Sequence, residues 1–291
     1  MTNAACTIIT LDHLNYALTL FNSIDQFGHY SYRLLIVDAT EDEIDKVNIV
    51  FAQNNKAIHA FSLKDLKDKI TLEICEKYKG QNDYLRWALK PCFLEFLLNN
   101  TRIQRCLYFD SDIACFESIE FLFEDLKDYN ILLTPHWRTS DPYFDKFAHL
   151  EVLATANDGI YNGGFIGVNK DGIPFLEWWK KLCHFACIHS REQGLRADQK
   201  WLDQTHIWFG DWLKVSPHRG LNCAIWNWRE NKRSLIDGKV LINGIWPIVF
   251  VHFTKGLLNL YKRQDPLLHF YVEKYQHDLA ESTEWLALNF F

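Results

Sequence analysis

Asp110 and Asp112 close the run Arg105-Cys106-Leu107-Tyr108-Phe109-Asp110-Ser111-Asp112. Alternate side chains of an extended chain point to the same side, so these carboxylates converge on one cation if a strand runs through them. Hard oxygen ligands suit Mg²⁺ or Mn²⁺, which bind through one or two carboxylates together with substrate phosphates. Such a cation stabilises the negative charge that develops when a sugar–diphosphate bond breaks. The competing reading is a polar turn capping the next segment, since Asp and Ser favour turns.

Other residue types fit the same chemistry. Arg86 and Lys90 are four apart on one face of a predicted helix, where two cations reach a phosphate or sugar; ion pairing with Asp83 or Glu95 is the rival use. Lys255 and Gly256 suit diphosphate oxygens, or form an ordinary solvated turn. Asn162 precedes Gly163 and Gly164, where a backbone approaches a ligand closely and an amide bonds sugar hydroxyls; a plain tight turn competes. Thr10 and Asp38 end the first two predicted strands, places equally suited to helix caps. Trp137, Trp226, Trp228 and Trp246 lie near loops or polar clusters, and flat rings pack on sugar faces, although most of the eleven tryptophans belong to the core. Cys183, His184, Cys187 and His189 have spacing for part of a zinc site but lack a second pair; the eight cysteines read as reduced, buried thiols.

The elements that must position these groups alternate. Residues 4–10, 32–38 and 57–61 read as strands, and 14–23 and 41–54 as helices, which predicts a parallel sheet with helices on its faces. Helices are predicted over 65–79, 84–98 and 174–184, with Pro91 kinking the second or marking a helix start. Strands follow at 106–110, 130–134, 165–168 and 249–253, the third after an Asn-Gly-Gly turn. Asp110 thus falls beyond the carboxyl end of a buried strand, where open α/β sheets bind ligands.

With 291 residues, 48% of them hydrophobic, the chain can bury a large core. No repeat or flexible linker is visible. A single domain over 1–255 is expected, with functional halves 1–115 and 116–255 and a helical tail over 256–291. A net charge of −6 without a basic run argues against nucleic acid, whereas a local metal supplies positive field for a phosphorylated small substrate. The N-terminus lacks signal-peptide features and no apolar run reaches membrane-spanning length, so a cytoplasmic protein is expected. The tail from Trp285 to Phe291 suits a docked helix, or contact with the inner face of a membrane or with a partner.

Taken in order, these segments resemble the GT-A glycosyltransferases, especially the family 8-like bacterial sugar transferases with a DxD motif. The resemblance lies in Tyr84-Leu-Arg-Trp-Ala-Leu-Lys-Pro91, Tyr108–Asp112, Tyr161-Asn-Gly-Gly-Phe-Ile-Gly-Val-Asn169, Ala197-Asp198-Gln199, Leu221-Asn222 with Trp226-Asn227, and Val251-His-Phe-Thr-Lys-Gly256. It spans about residues 6 to 260. The chain departs from the family in Lys200, where many members carry an acid, and in Lys255 before Gly256, where His or Ser is commoner.

The resemblance implies a Rossmann-like α/β fold with a mixed, mostly parallel sheet. It implies transfer of a hexose from a nucleotide-diphosphate sugar, UDP-linked, to a glycan or glycolipid hydroxyl in surface polysaccharide assembly, with retention of configuration. His252 would be the third metal ligand beside Asp110 and Asp112. Asp198, Gln199 and Asn162 would face the donor sugar, and Thr10, Asp38 and Ser111 would join Arg86, Lys90, Lys255 and Gly256 around the donor. An inverting enzyme would instead need a carboxylate base, for which Asp141, Asp145 and Asp158 are available. A nucleotidyltransferase, the alternative enzyme, needs a glycine-rich loop after the first strand, and Thr10-Leu-Asp-His-Leu14 has no glycine. A non-catalytic sugar-binding module is the remaining reading.

Overall fold

A computed structural model describes residues 2–290; Met1 and Phe291, the ends of the expected domain and tail, lie outside the described residues. The chain opens with β1 (Thr2–Ile9), α1 (Leu14–Asp25), β2 (Ser31–Ile36), α2 (Glu41–Gln53) and β3 (Ile58–Phe61). Helices α3 (Lys69–Lys77), α4 (Asn82–Ala88) and α5 (Lys90–Asn100) lead into β4 (Ile103–Phe109) and β5 (Ile113–Cys115). Then come α6 (Glu120–Asp128), β6 (Ile131–Pro135), α7 (Ala148–Asp158), β7 (Tyr161–Asn169) and α8 (Ile173–Phe185). Short elements follow: β8 (His189–Ser190), β9 (Leu195–Arg196), α9 (Thr205–Trp208), β10 (Leu213–Val215), β11 (Arg233–Ile236), β12 (Lys239–Ile242) and β13 (Trp246–Pro247). The last are β14 (Phe250–His252), α10 (Lys255–Gln264) and α11 (His269–Phe290).

The central sheet has seven strands in the order β10-β6-β7-β4-β1-β2-β3. β1 pairs in parallel with β2 and β4, β2 with β3, and β6 with β10, while β7 runs against both β4 and β6. The expected mixed, mostly parallel sheet is therefore present. Successive strand residues feed opposite faces. Cys106 and Tyr108 of β4 enter the core layer shared with α5 and α8, whereas Leu107 and Phe109 enter the layer shared with α1, α2 and α6.

Several local expectations change. The helix predicted over 65–79 starts at Lys69, because the Asp68 side chain accepts from Thr71 N and caps α3 there. The helix predicted over 84–98 is two, with Pro91 in the first turn of α5, where its missing N–H leaves no bond unmade. The Asn-Gly-Gly segment is not a turn but part of the unbroken β7. Strand β4 ends at Phe109, so Asp110 and Asp112 lie outside it.

The tail is helical and docked. On α11, Ser282 accepts from Thr19 Oγ1 at 2.9 Å, Thr283 accepts from Asn15 Nδ2 at 2.9 Å, and Trp285 stacks on Phe51. Among the described residues no helix is long and apolar enough to cross a membrane.

Candidate active site

The two aspartates converge through a turn rather than a strand. Asp110 N donates to Gly164 O at 2.8 Å, and Ile113 N donates back to Asp110 O at 3.1 Å. β5 then pairs antiparallel with β14, setting Ile113 opposite His252, and Phe253 N donates to Asp112 O at 2.7 Å. That register brings His252 Nε2 to 3.0 Å from Asp112 Oδ1 and 4.0 Å from Asp110 Oδ2. One ligand atom from each residue lies within 4.8 Å of the other two, and among the described residues this is the one such group of His, Cys, Asp and Glu. Cys183, His184, Cys187 and His189 form no such group: the cysteines are buried and free, His184 pairs with Glu73, and His189 stacks on Trp87.

The trio fits a hard divalent cation. Two carboxylates and one imidazole are suitable donors, and His252 Nδ1 meets Asn222 Oδ1 at 3.1 Å, which orients the ring and leaves Nε2 toward the aspartates. Burial opposes charge on both Asp112 and His252, but their mutual attraction outweighs it, holding the carboxyl low and pushing the imidazole up.

Lys90 occupies a different place from the one its sequence position suggests. It is buried, with Nζ 3.2 Å from Asp110 Oδ1, 3.2 Å from Asp198 Oδ2 and 2.9 Å from Gly163 O. Its three donors therefore face protein groups. Burial would lower its pKa, yet the two carboxylates raise it. Asp198 is buried too, and burial lifts its carboxyl to about 6, Asp110 adding to the shift and Lys90 opposing it. Its side chain caps no helix. Ala197, directly before it, holds φ at +48°, and Trp179 Nε1 donates to Asp198 O at 3.0 Å.

The first residues of β7 overhang the carboxyl end of β4 and floor the site. A Cβ on Gly164 would stand 2.6 Å from His252 Cε1 and 3.0 Å from Asp110 Oδ2, so only glycine fits there. Gly163 N donates to Gln199 Oε1 at 2.9 Å, and Gln199 Nε2 donates to Asp158 O at 2.8 Å, which occupies that amide with backbone. Asn162 Oδ1 accepts from Gly164 N at 2.8 Å, and its Nδ2 faces His136 Nε2 at 3.1 Å. Burial and nearby Arg138 keep His136 well below its usual pKa, hence neutral.

These groups line one open cavity of about 660 Å³, the size of a small-ligand site. Asp110, Ser111, Asp112, Asn162, Asp198, Gln199, His252, Arg86, Lys90 and Lys255 all border it. Arg86 is paired with Asp83 at its rim. Thr10, Asp38 and Gly256 are not among the lining residues. Thr10 Oγ1 lies 2.9 Å from His13 Nδ1, and Asp38 Oδ1 accepts from Leu11 N at 2.8 Å, so both hold the turn after β1. A Cβ on Gly256 would make only ordinary contacts, 3.7 Å from Ile225 Cγ2 and 3.8 Å from Thr254 Oγ1. Of the four singled-out tryptophans only Trp226 reaches the cavity, edge-on to His252; cationic or imidazole side chains lie against the other three. Asp158 borders the cavity, ion-paired with Arg138 and Arg196, whereas Asp145 pairs with Arg229 and Asp141 accepts from Tyr143 N.

Sequence reasoning missed His13, Tyr16, His136 and Arg138 as lining residues. His136 and Arg138 follow β6 as Asp110 follows β4, and that shared position beyond a parallel strand was the available signal.

No protein-family model matches the chain. In sequence it is similar to the uncharacterized protein YfnF of Bacillus subtilis (strain 168), 29% identical over 259 residues that cover 87% of this chain and 82% of that one. Its fold is similar to mouse xyloside xylosyltransferase 1 in its apo form, with a TM-score of 0.54, 14% identity, and coverage of 88% of this chain and 98% of that one. It is likewise similar to the galactosyltransferase LgtC in complex with donor and acceptor sugar analogues, with a TM-score of 0.53, 14% identity, and coverage of 97% and 96%. The chain has the GT-A fold of these glycosyltransferase structures.

Proposed function

We propose that this protein is a metal-dependent glycosyltransferase of the family 8-like type. It moves a hexose from a nucleotide-diphosphate sugar, UDP-linked, to a hydroxyl of a glycan or glycolipid, with retention of configuration, in cytoplasmic steps of surface polysaccharide assembly. The supporting observation is the convergence of Asp110, Asp112 and His252 with Asp198 and Asn162 in one cavity beyond the carboxyl ends of the sheet. The shared GT-A fold is consistent with it.

Asp110, Asp112 and His252 would hold Mn²⁺ or Mg²⁺, which supplies charge neutralisation for a departing nucleotide diphosphate. Lys255 opens α10, so phosphate oxygens there meet an ammonium and a helix N-terminus together. Arg86 is the second cation within reach of the donor. Lys90 positions Asp110 and Asp198 instead of reaching phosphate. Asp198 and Asn162 offer oxygens to sugar hydroxyls, and Gln199 fixes the edge of β7 beneath them. Thr10 and Asp38 shape the turn that presents His13 and Tyr16, while Ser111 spaces the metal-binding aspartates. Residues 1–115 would serve the nucleotide and 116–255 the sugar and acceptor.

A panel of nucleotide sugars assayed for Mn²⁺-dependent release of free nucleotide tests this. One donor should turn over slowly without acceptor, and Asp110→Asn or Asp112→Asn should reduce that release by roughly a hundredfold or more. Unchanged release in both variants would show the metal assignment to be wrong.

A further inference from the structure

Tyr108 and Asp110 stand on either side of Phe109, the last residue of β4. Tyr108 is buried in the core layer shared with α5, and its hydroxyl donates to Asp110 Oδ1 at 2.8 Å. Lys90 of α5 brings Nζ to 3.2 Å from that same oxygen and lies 5.1 Å from the centroid of the Tyr108 ring. The lysine is fixed in turn, 2.9 Å from Gly163 O and 3.2 Å from Asp198 Oδ2. Two buried donors, one from the strand and one from the helix packed on it, therefore grip one oxygen of Asp110.

The second oxygen is turned elsewhere. Asp110 Oδ2 lies 4.0 Å from His252 Nε2 and faces the bare α-carbon of Gly164, where an added Cβ would stand 3.0 Å from it. A carboxylate oxygen has about two lone-pair positions. At Oδ1 a hydroxyl and an ammonium take both, and the ammonium also repels any cation that nears this oxygen. Asp110 thus has one oxygen to give to a cation, and the paired donors keep the carboxylate from rotating to give two.

Such a constraint sorts divalent ions by coordination. Ca²⁺ takes about six to eight oxygens, often from bidentate carboxylates, in a flexible shell. Mg²⁺ and Mn²⁺ favour an octahedron of about six and bind through one or two carboxylates, with water and phosphate completing the shell. We infer that Tyr108, together with Lys90, is a positioning residue that sets the cation selectivity of the site. By holding Asp110 to one ligand oxygen, the two side chains favour Mn²⁺ or Mg²⁺ over Ca²⁺. This selectivity rests on the proposed metal assignment to Asp110, Asp112 and His252, and goes beyond it in naming residues outside that trio that choose the ion.

Binding of Mn²⁺ to the full chain, read from the electron paramagnetic resonance of the free ion, and its displacement by Ca²⁺ provide the test. In the wild type, Ca²⁺ should displace Mn²⁺ only at about a hundredfold higher concentration. Tyr108→Phe keeps the ring and frees one lone pair of Oδ1. Its Mn²⁺ affinity should fall about tenfold, the scale of loss when a ligand is deprived of a supporting hydrogen bond. Ca²⁺ gains a second oxygen and should not weaken, so the gap between the two ions should narrow about tenfold. A side chain with a merely structural role would weaken both ions alike. An unchanged gap in Tyr108→Phe overturns the inference, and so does a wild type that binds Ca²⁺ as tightly as Mn²⁺, a comparison that needs no variant to fold. Asp112→Asn should abolish Mn²⁺ binding. Binding retained in that variant, or no Mn²⁺ binding by the wild type, defeats the metal assignment and the selectivity with it, a failure distinct from an unchanged gap.

Discussion

Two buried lysines on adjoining helices of this protein each sit between two carboxylates. Lys90 of α5 faces Asp110 and Asp198, and Lys180 of α8 faces Asp68 at 3.1 Å and Glu95 at 2.5 Å. In both, burial opposes the ammonium charge and the carboxylates outweigh it, so both pKa values rise. Their surroundings differ. Asp68 caps α3 and Glu95 belongs to α5, so Lys180 ties three helices together. The partners of Lys90 border the cavity, and Asp110 turns its other oxygen toward His252. The same three-group chemistry serves as a helix staple in one place and as the frame of a site in the other, according to what the carboxylates have left to bind.

Lys90→Met should have the largest effect. It strands two carboxylates, one of them 4% exposed, and should cost about 3–5 kcal/mol. Urea midpoints measure that loss, and nucleotide release should fall about a hundredfold or more. Lys180→Met should cost about 2 kcal/mol, less because Asp68 is 44% exposed and water replaces the ammonium there. Its turnover per folded molecule should stay within about twofold. Equal losses of turnover in the two variants would erase the distinction.

A smaller effect separates the neutral lining of the cavity from both charged clusters. The folded protein holds His136 neutral, while the unfolded chain protonates that imidazole below about pH 6.5. The unfolded state then binds the extra proton, so this group's contribution to stability falls as pH drops through that value, by roughly 1 kcal/mol per unit. His136→Gln should remove that part of the slope, seen as a smaller difference between urea midpoints at about pH 5.5 and about pH 7.5. An unchanged slope would mean the folded protein also charges His136.

The smallest effect concerns how Asp198 is aimed. Ala197 at φ +48° carries a left-handed strain of about 1 kcal/mol, part of which glycine loses again through unfolded-chain entropy. Ala197→Gly should therefore raise stability by about 0.5 kcal/mol. A concurrent fall in turnover would tie that strained backbone to the placement of Asp198, a role Lys180 does not share.

The first hundred or so residues were legible because their strands are short apolar runs that end in polar residues, with helices between them. β1, β2 and β4 fall within a few residues of their expected bounds. Asp110 stood out because it follows such a run. The aspartates' convergence was expected from strand geometry and is achieved by a turn, a choice made by pairing with β7 and β14 that no local pattern encodes. Lys90 read as a cation for phosphate or sugar, or for an ion pair with Asp83 or Glu95, because helical spacing gives a face but not its direction. Gly163 and Gly164 looked like a turn because glycine signals freedom, whereas here it answers crowding by His252 and Asp198. Asn222 sits at φ +55° to meet His252, a contact across 30 residues that periodicity cannot show.

The pairing of β5 with β14 has a consequence for synthesis. Asp112 and His252 are neighbours in space but emerge from the ribosome 140 residues apart, the difference of their positions. The parallel strands through β4 can assemble before His252 is translated, since N-terminal portions fold first. A chain that stops short of residue 250 would carry both aspartates and most of the sheet yet lack the imidazole and the strand that turns it inward. Under the proposed metal assignment, cation affinity would then report that translation has passed the final strand, and a bound ion would fasten the late segment to the early one, adding stability only to the finished fold.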